Sequence, residues 1–185
     1  MGWFDAVRAT PAERAESRPG DEIVARPDVV MDRAFTVPGA PESVWPWIAQ
    51  LGKRRAGWYL PRRVERIIPR GRRALRHVDP RWTVPAVGQV IPDYGGRDAT
   101  FTVAQVAAPH ALVYRSTRGR TDLSWSITLR PDDVAGVVRT RVLLRLRLAP
   151  VRRVRLARTV GELFDALTVL GLASGLRERL AGTDP

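Results

Sequence analysis

Between Val137 and Leu148 the chain alternates with a period of two. Val138, Thr140, Val142, Leu144, Leu146 and Leu148 fall on one side, and Arg139, Arg141, Arg145 and Arg147 on the other. Such alternation predicts an antiparallel strand with one face in a core and the arginine row in water. Weaker versions recur upstream. Met31, Phe35 and Val37 share a face in a strand over 29–37. Val87 to Ile91 opens a sheet, and Phe101, Val103 and Gln105 alternate with Thr102, Ala104 and Val106. Leu112, Tyr114 and Ser116 face away from Ala111, Val113 and Arg115, while Leu123, Trp125, Ile127 and Leu129 face away from the polar residues between them. Pro38-Gly39-Ala40, Asp93-Tyr94-Gly95-Gly96, residues 117–122 and residues 131–136 carry the composition of turns.

Elsewhere the period is helical. Pro41 suits a first helical position, Glu42 complements the positive end of the helix dipole, and Val44, Trp45, Trp47, Ile48 and Leu51 supply a broad apolar face. Gly52 ends this short helix, and Gly57 allows a bend before a second one carrying Trp58, Leu60, Val64, Ile67 and Ile68. From Thr159 to about Leu180 a long helix is expected, with Thr159 as N-cap and Glu162 as its capping-box partner. Val160, Leu163, Phe164, Leu167, Leu170, Leu172 and Leu176 give that helix an unusually wide apolar surface, with Asp165 beside it. Gly171 and Gly175 permit a bend or a close approach. Residues 66–81 read as a solvated, partly mobile basic loop able to form a flap over a cavity.

The element order is strand, two short helices, about five antiparallel strands and a long helix, an α+β arrangement. A curved sheet wrapped around one helix leaves room for an apolar ligand wherever the helix side chains are too small to fill it. We expect an N-terminal arm over 1–28, irregular apart from a helical turn or two at Trp3, Phe4 and Val7 and packed on the rest. A single domain follows over 29–181.

Composition narrows the chemistry. The chain of 185 residues has no Cys and two His, which removes disulfides, thiol chemistry and a His- or Cys-built metal centre. No run of about 18 apolar residues and no signal-peptide pattern is present, so no transmembrane segment is expected and the cytoplasm is the default location. The formal charge is +12, with Lys53 the only Lys. It implies weak attraction to anionic surfaces. A genome-wide Arg bias explains it equally well, and no specific nucleic-acid partner is expected.

The aromatic candidates for a ligand site are Trp45, Trp47, Trp58, Tyr59, Tyr94, Tyr114 and Trp125, joined by Phe164 and Leu167 on the long helix. Core packing accounts for any one of these rings as well as ligand contact does. Tyr114 and Trp125, flanked by Leu112, Leu123 and Ile127, should point into the concave side. Among carboxylates, Asp93, Asp165 and Glu65 are the ones placed for acid or base work if burial raises their pKa. Turn capping explains Asp93, and an ion pair with a nearby Arg explains Glu65. Asp165 interrupts an apolar face, and Tyr114 with Asp165 is the pair an enzyme would need to bring together. No catalytic-triad spacing, metalloprotease motif, P-loop or dinucleotide fingerprint is present.

Ala40, Pro41, Glu42, Val44, Trp45, Pro46 and Trp47, followed by Gly52, Arg54, Arg55, Ala56, Gly57, Trp58 and Tyr59, resemble a pattern of bacterial members of the START-like, or SRPBCC, superfamily. That superfamily includes the birch-pollen-allergen-like proteins and the polyketide cyclase/dehydrase and lipid-transport group. Residues 19–24, 87–92 and the Trp125 strand extend the resemblance to about 19–180. Arg54 departs from it, standing where a second Gly is expected and stiffening the turn. The resemblance implies a helix-grip fold, in which the curved antiparallel sheet wraps the C-terminal helix. It carries over no catalytic set and no cofactor, because the scaffold hosts binders, transporters, cyclases and hydratases.

Three functions follow as expectations. The first is binding or carriage of a small hydrophobic or aromatic molecule between sheet and helix. The others are a cyclase, dehydratase or isomerase on the same fold, and a noncatalytic regulatory or interaction module, which a collapsed cavity beside an exposed apolar patch would mark. Monomer and homodimer are both compatible with the sequence.

Overall fold

The first strand of the chain pairs with the last. In a computed structural model that describes residues 3–96 and 98–182, β1 (Val29–Pro38) runs antiparallel to β6 (Arg139–Ala149) from Val29↔Leu148 to Pro38↔Arg139. Between them in sequence lie β2 (Val90–Pro92), β3 (Thr100–Ala107), β4 (Ala111–Arg118) and β5 (Thr121–Pro131), giving one six-stranded sheet in the order β1-β6-β5-β4-β3-β2. Every neighbouring pair is antiparallel. The curved sheet holds a long C-terminal helix, so the fold is α+β and helix-grip, as the alternation and element order predict.

Pro41 does open a helix, α2 (Pro41–Ala49), preceded in the chain by α1 (Pro11–Ala15). The core forms where Val44, Trp47 and Ile48 of α2 meet Phe35, Leu112 and Ile127 of the sheet and Leu172 and Leu176 of the last helix. On β3 the simple alternation fails. A bulge between Val103 and Gln105 places Val106 opposite Leu112, so Val106 packs on the core and Gln105 turns outward to the Glu22 carboxylate.

The arginine face of β6 is not in water. Residues 10–25 lie across it, and Arg145 is only 4% exposed. Its guanidinium donates to Asp32 at 2.7 Å, Asp21 at 2.9 Å and the carbonyls of Glu16 and Arg14 at 2.8 Å each. Arg141 reaches Glu13, and Arg147 pairs with Asp21 and donates to the Val24 carbonyl. The arm itself is not irregular at its start. Thr10 Oγ1 accepts from the Glu13 amide at 3.1 Å while Glu13 accepts from the Thr10 amide at 2.7 Å, a capping box that opens α1. Nearby, Trp3–Val7 forms a 3-10 turn with Val7 fully buried; the side chains of Trp3 and Phe4 lie outside the described ones.

Two helix expectations are corrected. After Gly57 the chain runs extended through Trp58, Tyr59 and Leu60, and only Arg62–Glu65 (α3) is helical. Pro61 is the reason, since the residue before a proline is pushed out of the α region. At the other end the last helix, α4, spans Val154–Leu180. It begins ahead of the expected N-cap, and Thr159 lies inside a π-helical segment, Ala157–Gly161, with its hydroxyl on the carbonyls of Arg155 and Leu156.

The basic loop is fastened rather than free, and it does not cover the cavity described below. Gln50, fully buried, donates to the His77 carbonyl and accepts from the Asp79 amide. Arg179 of α4 donates to the Leu75 carbonyl at 2.8 Å and pairs with Glu65 at 2.6 Å.

Candidate functional site

Cross-strand register assembles the aromatic cluster. Tyr114 on β4 is the partner of Trp125 on β5, and Val103 on β3 is the partner of Tyr114. Side chains directly opposite one another share a face, so the Tyr114 and Trp125 rings stack at 5.4 Å with 21° between their planes. Phe101 leans on both, at 5.8 Å from each. Trp58, carried by the extended segment after Gly57, closes the group by stacking on Trp125 at 6.1 Å. Its indole N–H donates to the Thr168 carbonyl of α4 at 3.1 Å.

These four rings line a cavity of about 30 Å³ that Leu51, Ile91 and Asp93 complete. Above it lies a polar rim. Lys53 donates to the Asp93 carbonyl at 3.0 Å and sits 6.0 Å from the centroid of the half-exposed Tyr94 ring. Asp93 caps its own turn through the Gly95 amide and pairs with Arg118, whose guanidinium lies 5.1 Å from the Phe101 ring centroid. A space this small holds a water, whereas ligand pockets run to several hundred Å³.

Tyr114 is 3% exposed, lines the cavity and has no hydrogen-bond partner for its hydroxyl among the described residues. Burial pushes its pKa up to about 12, against the pull of the Arg55 charge. At neutral pH the group is therefore a hydrogen-bond donor and not a base. Arg55 is itself unusual. Its Nη2 donates to the carbonyls of Ala49 and Trp82, its guanidinium lies 5.0 Å from the Trp82 ring centroid, and its buried Nε and Nη1 have no hydrogen-bond partner among the described residues. Burial lowers its pKa, and the electrostatic neighbours that oppose this are Tyr114 and Tyr59. Tyr114 thus lines the cavity, while Arg55 lies outside the lining and acts on the phenol only through its charge. Arg55 lies in the turn after α2, a position from which sequence periodicity says nothing about burial.

Other candidates are placed elsewhere. Trp45 and Trp47 belong to the core, Trp47 meeting Tyr59 edge-on at 5.7 Å. The Tyr59 hydroxyl donates to the Trp47 carbonyl and accepts from Gln50, both at 2.8 Å, which makes it a fastener of α2. Phe164 and Leu167 do not reach the cavity, because α4 turns Ala166, Val169 and Leu172 toward the sheet and leaves those two outside. Asp165 is also away from it. Its carboxylate pairs with Arg33 of β1 at 2.9 Å, and burial, opposed by Arg33, raises its pKa to about 6. Tyr114 and Asp165 are therefore not one catalytic pair. Glu65 is held between Arg179 and Arg76.

A second, open groove of about 610 Å³ runs between the 3-10 turn, β1 and the start of α4. Its cations are engaged: Arg8 with Asp5, Arg33 with Asp165 and the Glu162 carbonyl, Arg158 with the Asp28 carbonyl. Among the described residues no group of three or more His, Cys, Asp or Glu is placed to hold a metal ion.

No family model and no curated protein matches the chain by sequence. Solved structures match it in shape. The hypothetical protein jhp0584 from Helicobacter pylori is similar with a TM-score of 0.55 at 13% identity, covering 92% of this chain and 98% of that one. A Rhodobacter sphaeroides protein gives 0.51 at 17% identity, covering 91% and 99%. Protein MLL2253 from Mesorhizobium loti gives 0.51 at 15%, covering 85% and 100%. At these identities the likeness is one of fold.

Proposed function

We propose that the chain is a START-like domain that binds a small apolar or aromatic molecule bearing an oxygen acceptor. The body of the ligand would lie among Phe101, Tyr114, Trp125 and Trp58, and its oxygen would meet the Tyr114 hydroxyl. The observation that carries this reading is the cavity lined by the four rings Phe101, Tyr114, Trp125 and Trp58. A hydrogen bond from the Tyr114 hydroxyl to an incoming oxygen would add about 0.5–1.5 kcal/mol.

The cavity as it stands is contracted, so binding requires a wall to move. Trp58 is that wall: it is half-buried, sits on a segment without regular structure, and is held to α4 by one side-chain hydrogen bond. Swinging it out opens the space toward Lys53 and Tyr94 at the rim. An enzymatic reading has less support, since the hydroxyl is a donor and no carboxylate other than the rim's Asp93 lines the cavity.

The test is native mass spectrometry of the purified protein with identification of any small molecule that travels with it, followed by titration of the compound found or of 1-naphthol. Tyr114→Phe should weaken binding about five- to tenfold with the fold intact, and Trp58→Ala should speed both association and release. If wild type and Trp58→Ala both stay empty, the rings are core and the reading fails. A second reading would then stand, that of an interaction module, because a contracted cavity accompanies an exposed apolar surface on α4.

A further inference from the structure

The segment Trp58–Leu60 covers the outer side of α4 only from Thr168 onward, where Trp58 donates to the Thr168 carbonyl and Leu60 meets Gly171 and Gly175. N-terminal to that point the 3-10 turn flanks the helix on its groove side, and an apolar stripe beside it stays open. Leu156, Val160, Leu163, Phe164 and Leu167 are each at least half exposed, Phe164 at 69%. Spacings of four, three, one and three put them on one stripe. Val169, Leu172 and Leu176 point the other way, into the core.

Charge is distributed to match. Arg152, Arg153 and Arg155 are exposed at the start of the helix, with Arg158 a turn later. The acidic residues of this half are Glu162, exposed on the groove edge that Leu163 shares, and Asp165, turned inward and paired to Arg33. Large apolar side chains beside a predominantly basic edge are the composition of a helix that lies in a membrane interface. A second copy fits less well, since it would bring its own charge of +12 against this one. By length and composition α4 could also cross a membrane. With Leu172 and Leu176 fully buried in the fold, the native chain offers only the first half, and offers it sideways.

We propose that the outer face of α4 docks on an anionic phospholipid surface, with Leu156, Val160, Leu163, Phe164 and Leu167 at the acyl boundary and Arg152, Arg153 and Arg155 among the headgroups. Attraction of the arginines to anionic lipid and burial of the stripe act together, so neither should suffice alone. The inference does not depend on the cavity binding anything.

Co-sedimentation with vesicles of phosphatidylcholine, with and without an equal share of phosphatidylglycerol, tests it. The protein should pellet with the mixed vesicles, weakly with phosphatidylcholine alone, and less as salt rises. The triple variant Leu163→Ser, Phe164→Ser, Leu167→Ser should lower partitioning about tenfold or more. Because the chain has no Cys, Phe164→Cys accepts a single environment-sensitive label, which should shift to the blue on mixed vesicles while a label at Asp133→Cys does not. That readout decides the matter if the triple variant fails to fold. Unchanged binding of a folded triple variant, no shift at position 164, or a lipid-free dimer that the stripe variant dissolves would each overturn the proposal, the last in favour of a second copy.

Discussion

A Cβ placed on Gly175 would lie 2.6 Å from the backbone nitrogen of Leu60, closer than any real side chain comes. The extended segment after Gly57 therefore packs directly on the helix backbone, and this contact seats Trp58 over Trp125. Gly175→Ala must push backbone aside, at a cost of about 1–3 kcal/mol less what alanine gains in helix propensity. Gly171→Ala is the control. There the added carbon would meet Leu60 Cδ2 at 2.7 Å, the end of a side chain that can rotate. In urea denaturation Gly175→Ala should lose stability and Gly171→Ala should stay within about 0.5 kcal/mol of wild type or exceed it. Equal losses would mean that the segment does not rest on the helix as described.

Arg54 has a φ of 61°, in the left-handed region, at the position where the sequence resemblance leads one to expect glycine. An L-residue there pays about 1–2 kcal/mol, of which glycine's larger unfolded-state entropy takes back a part. Arg54→Gly should raise stability by up to about 1 kcal/mol, measured by urea midpoint, and Arg54→Val should lower it.

Much of this architecture is legible in the sequence. Strands β1 and β4–β6 follow from period-two alternation, and α2 follows from Pro41 and its apolar face. Tyr114 and Trp125 meet because alternation puts both on the concave side, which is why the heart of the candidate site could be named early. What could not be read is what covers a face. The alternating Arg of β6 look the same whether water or the arm lies over them, and only folding brings Asp21 and Asp32 to Arg145. Two local signals were there to be used: the capping box at Thr10–Glu13, and Pro61, which rules out a helix through Trp58. On α4 the apolar surface is too wide for one face, and the sequence does not say which part turns to the sheet. Phe164 and Leu167, which the apolar pattern offers to a ligand, lie outside.

The arm should be the acid-labile part of the fold. Hydrogen bonding to Arg141 holds the Glu13 carboxyl at about 2, below its ordinary 4.5. A depressed folded-state pKa contributes stability that is present above about pH 4.5 and lost as pH falls toward 2. Glu13→Gln should cost about 1 kcal/mol at neutral pH, after allowance for solvent screening, and nothing near pH 2. Arg145→Met is expected to be harsher at neutral pH, by about 2–3 kcal/mol, because Asp32 is left with Arg18 alone and Asp21 with Arg147 alone. A loss from Glu13→Gln that persists unchanged in acid would point to packing of α1 rather than to the ion pair.

Asp165 should act in the opposite sense. Its folded-state value, about 6, lies above the ordinary 3.8 because burial outweighs the Arg33 guanidinium, with Glu162 and Asp32 adding repulsion. The folded chain holds this proton more tightly than the unfolded one. The resulting stabilisation is complete below about pH 3.8 and disappears as pH rises through 6. Asp165→Asn removes the titration while keeping an oxygen for Arg33. The stability of the variant minus that of wild type should therefore increase between about pH 4 and pH 8, by something on the order of 1–2 kcal/mol given the partial exposure of the carboxylate. Glu13 titrates identically in both proteins and cancels from the difference. Urea midpoints of the pair measured across that range give the sign directly. A difference that falls with pH would show that the Arg33 pair, and not burial, dominates the carboxylate, and that the Arg33–Asp165 contact is a net fastening of α4 to β1.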